Sequence, residues 1–257
     1  MSIVQAIRTV LFYLLLSSSA FVWGTLSLLI APFLPFRARY RFIAQAWCKF
    51  AVWLAGVMVG VRYELKGAEN IPDQPCVILA KHQSTWETFF LTGYFEPLSQ
   101  VLKRELLFVP FFGWAMALLK PIAINREQPK LALKQIAKQG DERLKQGAWV
   151  LIFPEGTRVP TGQIGKFSRG GAALAVNANL PVLPIAHNAG HCWPKNGWAK
   201  FPGTIQVVIG PAMYAEGEGA RAITELNQRA ENWVAQTLRE MGELPADATP
   251  QAVAEAS

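Results

Sequence analysis

The chain has 257 residues, 51% hydrophobic and only 17% charged, and carries a net charge of +7 from 25 basic and 18 acidic side chains. That length suits one catalytic domain, with or without an appendage, and allows a core that needs no disulfide or metal staple. Average soluble chains carry roughly 25% charged residues, so a disordered, collagen-like or purely soluble protein is a poor reading.

The excess apolar residues concentrate at the start. No charged residue occurs from Val10 to Phe36, a stretch longer than the roughly 20 residues a helix needs to cross a bilayer. It also exceeds the about 7–15 residues of a signal-peptide core and lacks a small-residue cleavage site, so a retained anchor is expected. Pro32 and Pro35 confine the regular helix to Ile7–Ala31. Arg37, Arg39 and Arg41 outweigh Arg8, which leaves the following domain on the cytoplasmic face of the membrane, the inner membrane if the cell is bacterial. A second apolar stretch, Phe50 to Val61, is only about a dozen residues long and fits an interfacial or re-entrant helix. Residues 1–60 are therefore read as a membrane-anchoring pair, either a span plus a surface helix or a hairpin in one leaflet. Residues 1–63 hold Arg8, Arg37, Arg39, Arg41, Lys49 and Arg62 and no carboxylate. Basic charge beside apolar sequence favours anionic headgroups, and no groove-reading motif supports a nucleic-acid partner. Cys48, Cys76 and Cys192 are too scattered for a disulfide framework and point to a reducing compartment.

Residues 61–242 read as a globular domain. Short apolar runs at 61–66, 76–80, 100–102, 121–124, 148–153, 182–186 and 204–209 predict strands, and 86–95, 129–146, 171–178 and 220–241 predict helices. This alternation predicts an α/β fold with a mixed, largely parallel sheet flanked by helices. Lys130, Lys134 and Lys138 share a face of the 129–146 helix, as a solvated surface or a stripe toward headgroups. Residues 243–257 are small and polar and are expected to be disordered.

Two constellations carry chemistry. Lys81-His-Gln-Ser-Thr-Trp-Glu87 directly follows the strand at 76–80, and ligands collect at the carboxyl ends of strands in such sheets. His82 and Glu87 would point about 140° apart on one ideal helix, so they meet only if His82 lies in the loop and Glu87 in the first helical turn. Ser84-Thr-Trp-Glu87 fits a capping box, and these residues alone leave open whether Glu87 caps the helix or orients the imidazole. The second constellation is Phe153-Pro-Glu-Gly-Thr-Arg158, where a turn exposes Glu155, Gly156, Thr157 and Arg158. Arginine suits bidentate phosphate recognition, and Arg126, at the end of a short strand, is a second candidate ligand. His187, His191 and Cys192 invite a metal reading, but Asn188, Gly190 and Pro194 argue against the helix that would align them.

These motifs, with Lys103, Glu105, Leu106, Pro110 and Gly113 between them and Pro184 after them, resemble the glycerophospholipid acyltransferase family. Within it they are most similar to the bacterial 1-acyl-sn-glycerol-3-phosphate acyltransferases. The resemblance covers roughly residues 60–210; His82 and Glu87 match a His-x4-Asp motif in which glutamate here replaces the usual aspartate. It implies that an acyl thioester, of coenzyme A or of acyl-carrier protein, is the donor. The acceptor would be lysophosphatidic acid, the product phosphatidic acid, and no metal or redox cofactor would be involved. By the same resemblance His82, held by Glu87, deprotonates the glycerol hydroxyl. Arg158 and Arg126 bind the phosphate, with Gly156 and Thr157 beside them; Glu155 orients the glycerol, and Lys103 meets the oxyanion or the donor. Two alternatives are an acyltransferase for another lysolipid, such as a lyso-ornithine lipid, and a non-catalytic lipid-binding membrane protein.

Overall fold

The computed structural model describes residues 2–125 and 127–251. Helix α1, Ile3–Ile30, starts four residues earlier than the sequence suggests. Ser2 accepts the Gln5 N–H as a cap, and Arg8 satisfies itself sideways by donating to the Met58 and Val57 carbonyls. A 3-10 turn at Ala31–Phe33 ends it at the prolines.

The second anchoring element differs from expectation. Helix α2, Phe36–Tyr40, a π turn, Arg41–Ala46, and helix α3, Trp47–Val59, form one continuous rod. The dozen apolar residues seen in the sequence are only its second half. The arginines that interrupt the hydropathy do not interrupt the helix. Arg39 donates to the carbonyls of Ala31 and Leu34 at the end of the preceding turn, and Arg41 pairs with Glu96. Two segments, Ile3–Phe33 and Phe36–Val59, are thus long and apolar enough to cross a membrane.

Helix α1 is two-sided. Thr9, Phe12, Leu16, Gly24 and Ser27 are buried at helical spacing, while Val10, Leu14, Phe21, Val22 and Leu29 are exposed. Its inner face meets the rest of the chain at points spread along its length. Gln5 Nε2 donates to the Lys200 carbonyl (2.8 Å), Phe12 packs edge-on against Trp193 (5.3 Å), and Phe21 lies 4.6 Å from Phe111.

The sheet has seven strands: β1 Val61–Lys66, β2 Val77–Ala80, β3 Leu98–Lys103, β4 Ile122–Ile124, β5 Trp149–Ile152, β6 Val182–His187 and β7 Gly203–Ile209. Their order is β1-β7-β6-β2-β5-β3-β4, parallel at every pairing except β6 with β7. Five adjacent strands, β6 to β4, therefore end at the same edge. Both faces are covered, which is why the central strands read as unbroken apolar runs. Ile78, Ala80 and Leu151 point into a core shared with Phe12, Trp47 and Trp86. Their neighbours Val77, Leu79, Val150 and Ile152 point the other way, as strand alternation requires, into a second core. The first side holds α1, α3 and α4 (Trp86–Tyr94); the second holds α6 (Pro129–Lys145), α7 (Gly170–Ala178) and α8 (Gly219–Glu240). The short helix α5, Phe112–Ala117, packs against α1.

Residues 60 and 61 do not separate two cores, because the anchoring helices and the sheet bury one common cluster. The expectation of disorder from 243 onward also needs correction for 243–251. Leu244 is buried with Val234 and Leu238, and Gln251 bridges Gly165 through backbone bonds to Ile164 and Lys166. Small polar composition hid a segment held by the buried Leu244, by Glu243 against His191, by Arg239 on the Ala248 carbonyl and by backbone groups that any sequence offers. Residues 252–257 lie outside the described residues.

Candidate active site

The parallel strands deliver Lys81 and His82 from β2, Phe153 to Arg158 from β5, His187 from β6 and Lys103 from β3 to one edge of the sheet. His82 stays in the loop and Glu87 enters the first turn of α4, so the pair meets: His82 Nδ1 lies 2.9 Å from Glu87 Oε1. The same oxygen accepts the Gln83 N–H (2.9 Å) and the Ser84 N–H (2.7 Å), and Ser84 Oγ accepts the Trp86 N–H. Capping and imidazole orientation are therefore one arrangement of one carboxylate. Helix α4 starts at Trp86, one residue later than a Ser84 cap implies. Burial opposes the charge on Glu87, but the imidazoles of His187 and His82 and the Ser84 N–H hold its carboxyl below the ordinary range. With Nδ1 committed to an acceptor, Nε2 is the nitrogen left for a substrate, the geometry of a general base. Phe153 stacks on the imidazole, 3.9 Å away and 14° from parallel, and fixes the ring plane.

Glu155 is not where the sequence reading put it. Its side chain is fully buried, and both oxygens are engaged. Oε1 accepts from Lys81 Nζ (2.8 Å) and the Gly165 N–H (2.7 Å), and Oε2 accepts from the His82 N–H (2.8 Å). It therefore ties the loop that carries His82 to the turn after β5, with both oxygens already used inside the protein. Lys81 was not recognised as its partner. Burial pushes the Lys81 ammonium below its ordinary value, against the pull of Glu155. The two motifs are stitched further by the Val159 N–H, which donates to the His82 carbonyl (2.7 Å).

Gly156 is exposed at φ 72°, the left-handed conformation that the turn requires, and Thr157 is half-buried beside it. Arg158 Nη1 donates to Thr85 Oγ1 (3.1 Å) and shares with His82 a cavity of about 320 Å³. Lys103, Leu106, Leu107 and Phe112 also line it. The turn that follows is tight at Gly113, where a β-carbon would collide with the Leu106 and Leu107 carbonyls. Arg126, the second proposed phosphate ligand, lies outside the described residues. A small apolar pocket of about 60 Å³, lined by Trp23, Gly24 and Trp47, lies beside the cavity and shares Phe89, Phe112 and Met116 with it.

His187 and His191 do not converge. His187 is buried; its Nε2 meets the Lys81 carbonyl (2.7 Å) and its Nδ1 accepts the Ala189 N–H, the pattern of a neutral ring. Burial pushes it below its ordinary value. His191 is exposed and faces Glu243. Among the described residues no group of three or more His, Cys, Asp or Glu is placed to hold a metal ion. Lys200 is another residue that the sequence reading missed. It is 1% exposed, over the rings of Tyr13 and Trp193, and burial together with the Arg158 charge pushes its ammonium down to about 8.

Residues 62–188 match the model of the Acyltransferase family. The chain is 80% identical to a 1-acyl-sn-glycerol-3-phosphate acyltransferase of Pseudomonas aeruginosa, over 94% of each protein. It is 31% identical to the chloroplastic 1-acyl-sn-glycerol-3-phosphate acyltransferase BAT2 of Brassica napus, over 70% of this chain and about half (52%) of the plant protein. Its fold matches the crystal structure of PlsC, the 1-acyl-sn-glycerophosphate acyltransferase of Thermotoga maritima. The TM-score is 0.74, covering 93% of this chain and 96% of that one at 24% identity.

Proposed function

This chain belongs to the acyltransferase family, and from that premise we propose how its geometry performs acyl transfer to a lysolipid. The enzyme transfers a fatty acyl group from an acyl thioester to the free glycerol hydroxyl of 1-acylglycerol 3-phosphate, giving phosphatidic acid. The observation that carries the mechanism is the His82–Glu87 pair, 2.9 Å apart, on the same cavity as Arg158.

Arg158 binds the acceptor's phosphate, its guanidinium steadied by Thr85. His82 Nε2 removes the proton of the free hydroxyl as that oxygen attacks the thioester carbonyl, and Glu87 stabilises the resulting imidazolium. The tetrahedral intermediate collapses with cleavage of the carbon–sulfur bond, and the imidazolium returns its proton to the departing thiolate. The substrate supplies its own nucleophile, so no acyl-enzyme forms. The Lys103 ammonium, in the lining of the same cavity, is the group we assign to the oxyanion or to the donor. The donor is acyl-CoA or acyl-carrier protein, and the residues named need no metal or redox cofactor.

We place the enzyme on the cytoplasmic face of the membrane. The contacts spread along α1 support a hairpin lying in one leaflet over a helix crossing both, which keeps the cavity at the interface where a lysolipid resides. The test is thiol release from acyl-CoA and from acyl-carrier protein by detergent-purified wild type and His82→Ala. Lysophosphatidic acid and lyso-ornithine lipid are offered separately. Turnover on lysophosphatidic acid that vanishes in the variant is expected. Turnover on lyso-ornithine lipid alone would reassign the acceptor, and unchanged turnover in the variant would overturn the base.

A further inference from the structure

A groove of about 570 Å³ lies on the side of α4 away from the catalytic cavity, between α3, β1 and α4. Its size falls in the about 300–1,000 Å³ range of sites that bury an organic ligand. Tyr63, Phe90 and Tyr94 form one aromatic wall, with Tyr63 and Phe90 4.9 Å apart and Phe90 stacked on Tyr94 at 5.6 Å. The opposite wall is the outer side of α3, where Trp53 is 58% and Val57 54% exposed. Gly56 also lines the groove, and Gly93 lets the Lys49 stem pack close against α4.

Two features say what fits there. The groove's only charged lining residues among those described are two cations, Lys49 and Arg62, and no carboxylate is part of the lining. The apolar walls also continue into the exposed apolar side of the anchoring helices, where Phe50 and Trp53 pack together. An apolar trough with a basic rim, opening on a lipid-facing surface, complements a molecule with an acyl chain and a negative head. We propose that this groove binds an anionic phospholipid of the bilayer, its phosphate held by Lys49 and Arg62 and one acyl chain laid against Tyr63 and Phe90.

The site is separate from the acyl-transfer cavity but not remote from it. Phe89 lines both. Tyr63 and Phe90 pack on Trp86, the residue immediately before Glu87. A chain in the groove therefore braces the helix that carries the catalytic carboxylate.

The test reads binding with no acyl donor present, so its failure leaves the acyl-transfer reading standing, and the converse holds too. Delipidated full-length protein in neutral detergent is titrated with phosphatidylglycerol, phosphatidylcholine and lysophosphatidic acid, and bound lipid is counted by native mass spectrometry. Wild type and His82→Ala are expected to hold one phosphatidylglycerol with equal affinity and to prefer it to phosphatidylcholine. The double variant Lys49→Gln, Arg62→Gln should weaken phosphatidylglycerol on the order of 30-fold, from about two lost surface-cation contacts. Phosphatidylcholine should be unaffected. Gly56→Leu, whose β-carbon meets only the Val61 carbonyl at 3.4 Å, should fill the groove and remove both lipids. Should Gly56→Leu fail to fold, the rim variant alone decides. Equal affinity for the two phospholipids, or wild-type affinity in the rim variant, overturns the proposal. Saturation by lysophosphatidic acid alone also overturns it, by giving the groove to the acceptor.

Discussion

The loops that follow β2 and β5 have the same outline in sequence: an apolar strand, a turn, and a carboxylate among basic residues. The structure gives their carboxylates opposite tasks. Glu87 is itself buried but meets the imidazole of His82, which lines the cavity. Glu155 turns inward and binds Lys81 and two backbone N–H groups. One buried carboxylate thus orients a ring that lines the cavity, and the other ties a buried ammonium to the backbone of two loops.

Removing the base gives the largest expected effect on this contrast. His82→Ala should lower kcat by about 10²–10⁴-fold with little change in thermal melting, since general-base help is worth that much. Equal activity in steady-state assays would remove the dyad from the mechanism.

Glu155→Gln comes next and acts through a different quantity. It leaves the Lys81 ammonium buried without its counter-charge, which costs about 3–5 kcal/mol when one partner of such a pair is removed. A large drop in melting temperature in detergent is expected. A normal melt with a raised KM for lysophosphatidic acid would instead restore Glu155 as a substrate ligand.

Glu87→Asp, the residue usual in the family motif, should retract the carboxylate from His82. Misplacement of a catalytic group by about 1 Å can cost about 10²-fold, so kcat should fall by up to that amount, with KM unchanged. If the loop closes up to meet the shorter side chain, kcat will stay at the wild-type level.

The smallest effect concerns pH. His187 and Glu87 both hold pKa values below their ordinary 6.5 and 4.5. Their contributions to stability are complete above those ordinary values and are lost as pH falls through the folded ones, because the unfolded chain then binds more protons. Melting temperature should decline below about pH 6.5, first through His187 and then through Glu87. His187→Gln, which keeps an N–H for the Lys81 carbonyl but does not titrate, should flatten the first part of that decline. An unchanged slope in a melting series from pH 7 to 5 would exclude His187 as its source.

Local rules account for what was legible beforehand. The strands beginning at Val77 and Trp149 were visible because strands covered on both faces must be apolar throughout, and those beginning at Val61 and Gly203 because apolar and polar residues alternate along them. His82, Glu87 and Arg158 were visible because parallel strands bring their carboxyl ends together whatever loops join them. The full length of the second anchoring rod was not visible. Hydropathy reports where a helix is apolar, whereas Arg39 and Arg41 stay helical by finding oxygen partners elsewhere in the chain.

The sequence by itself determined the alternation of strands and helices, the apolar anchor and the residue types at the edge of the sheet, because these follow from periodicity and composition within a short window. Only the tertiary structure decided which carboxylate meets the cavity-lining His82, that Phe153 stacks on that ring, and that Lys49 and Arg62 border one groove. Those facts depend on side chains far apart in the chain, Lys81 with Glu155 and Lys49 with Tyr63. Their meeting is set by how the helices pack on the sheet and not by any local pattern.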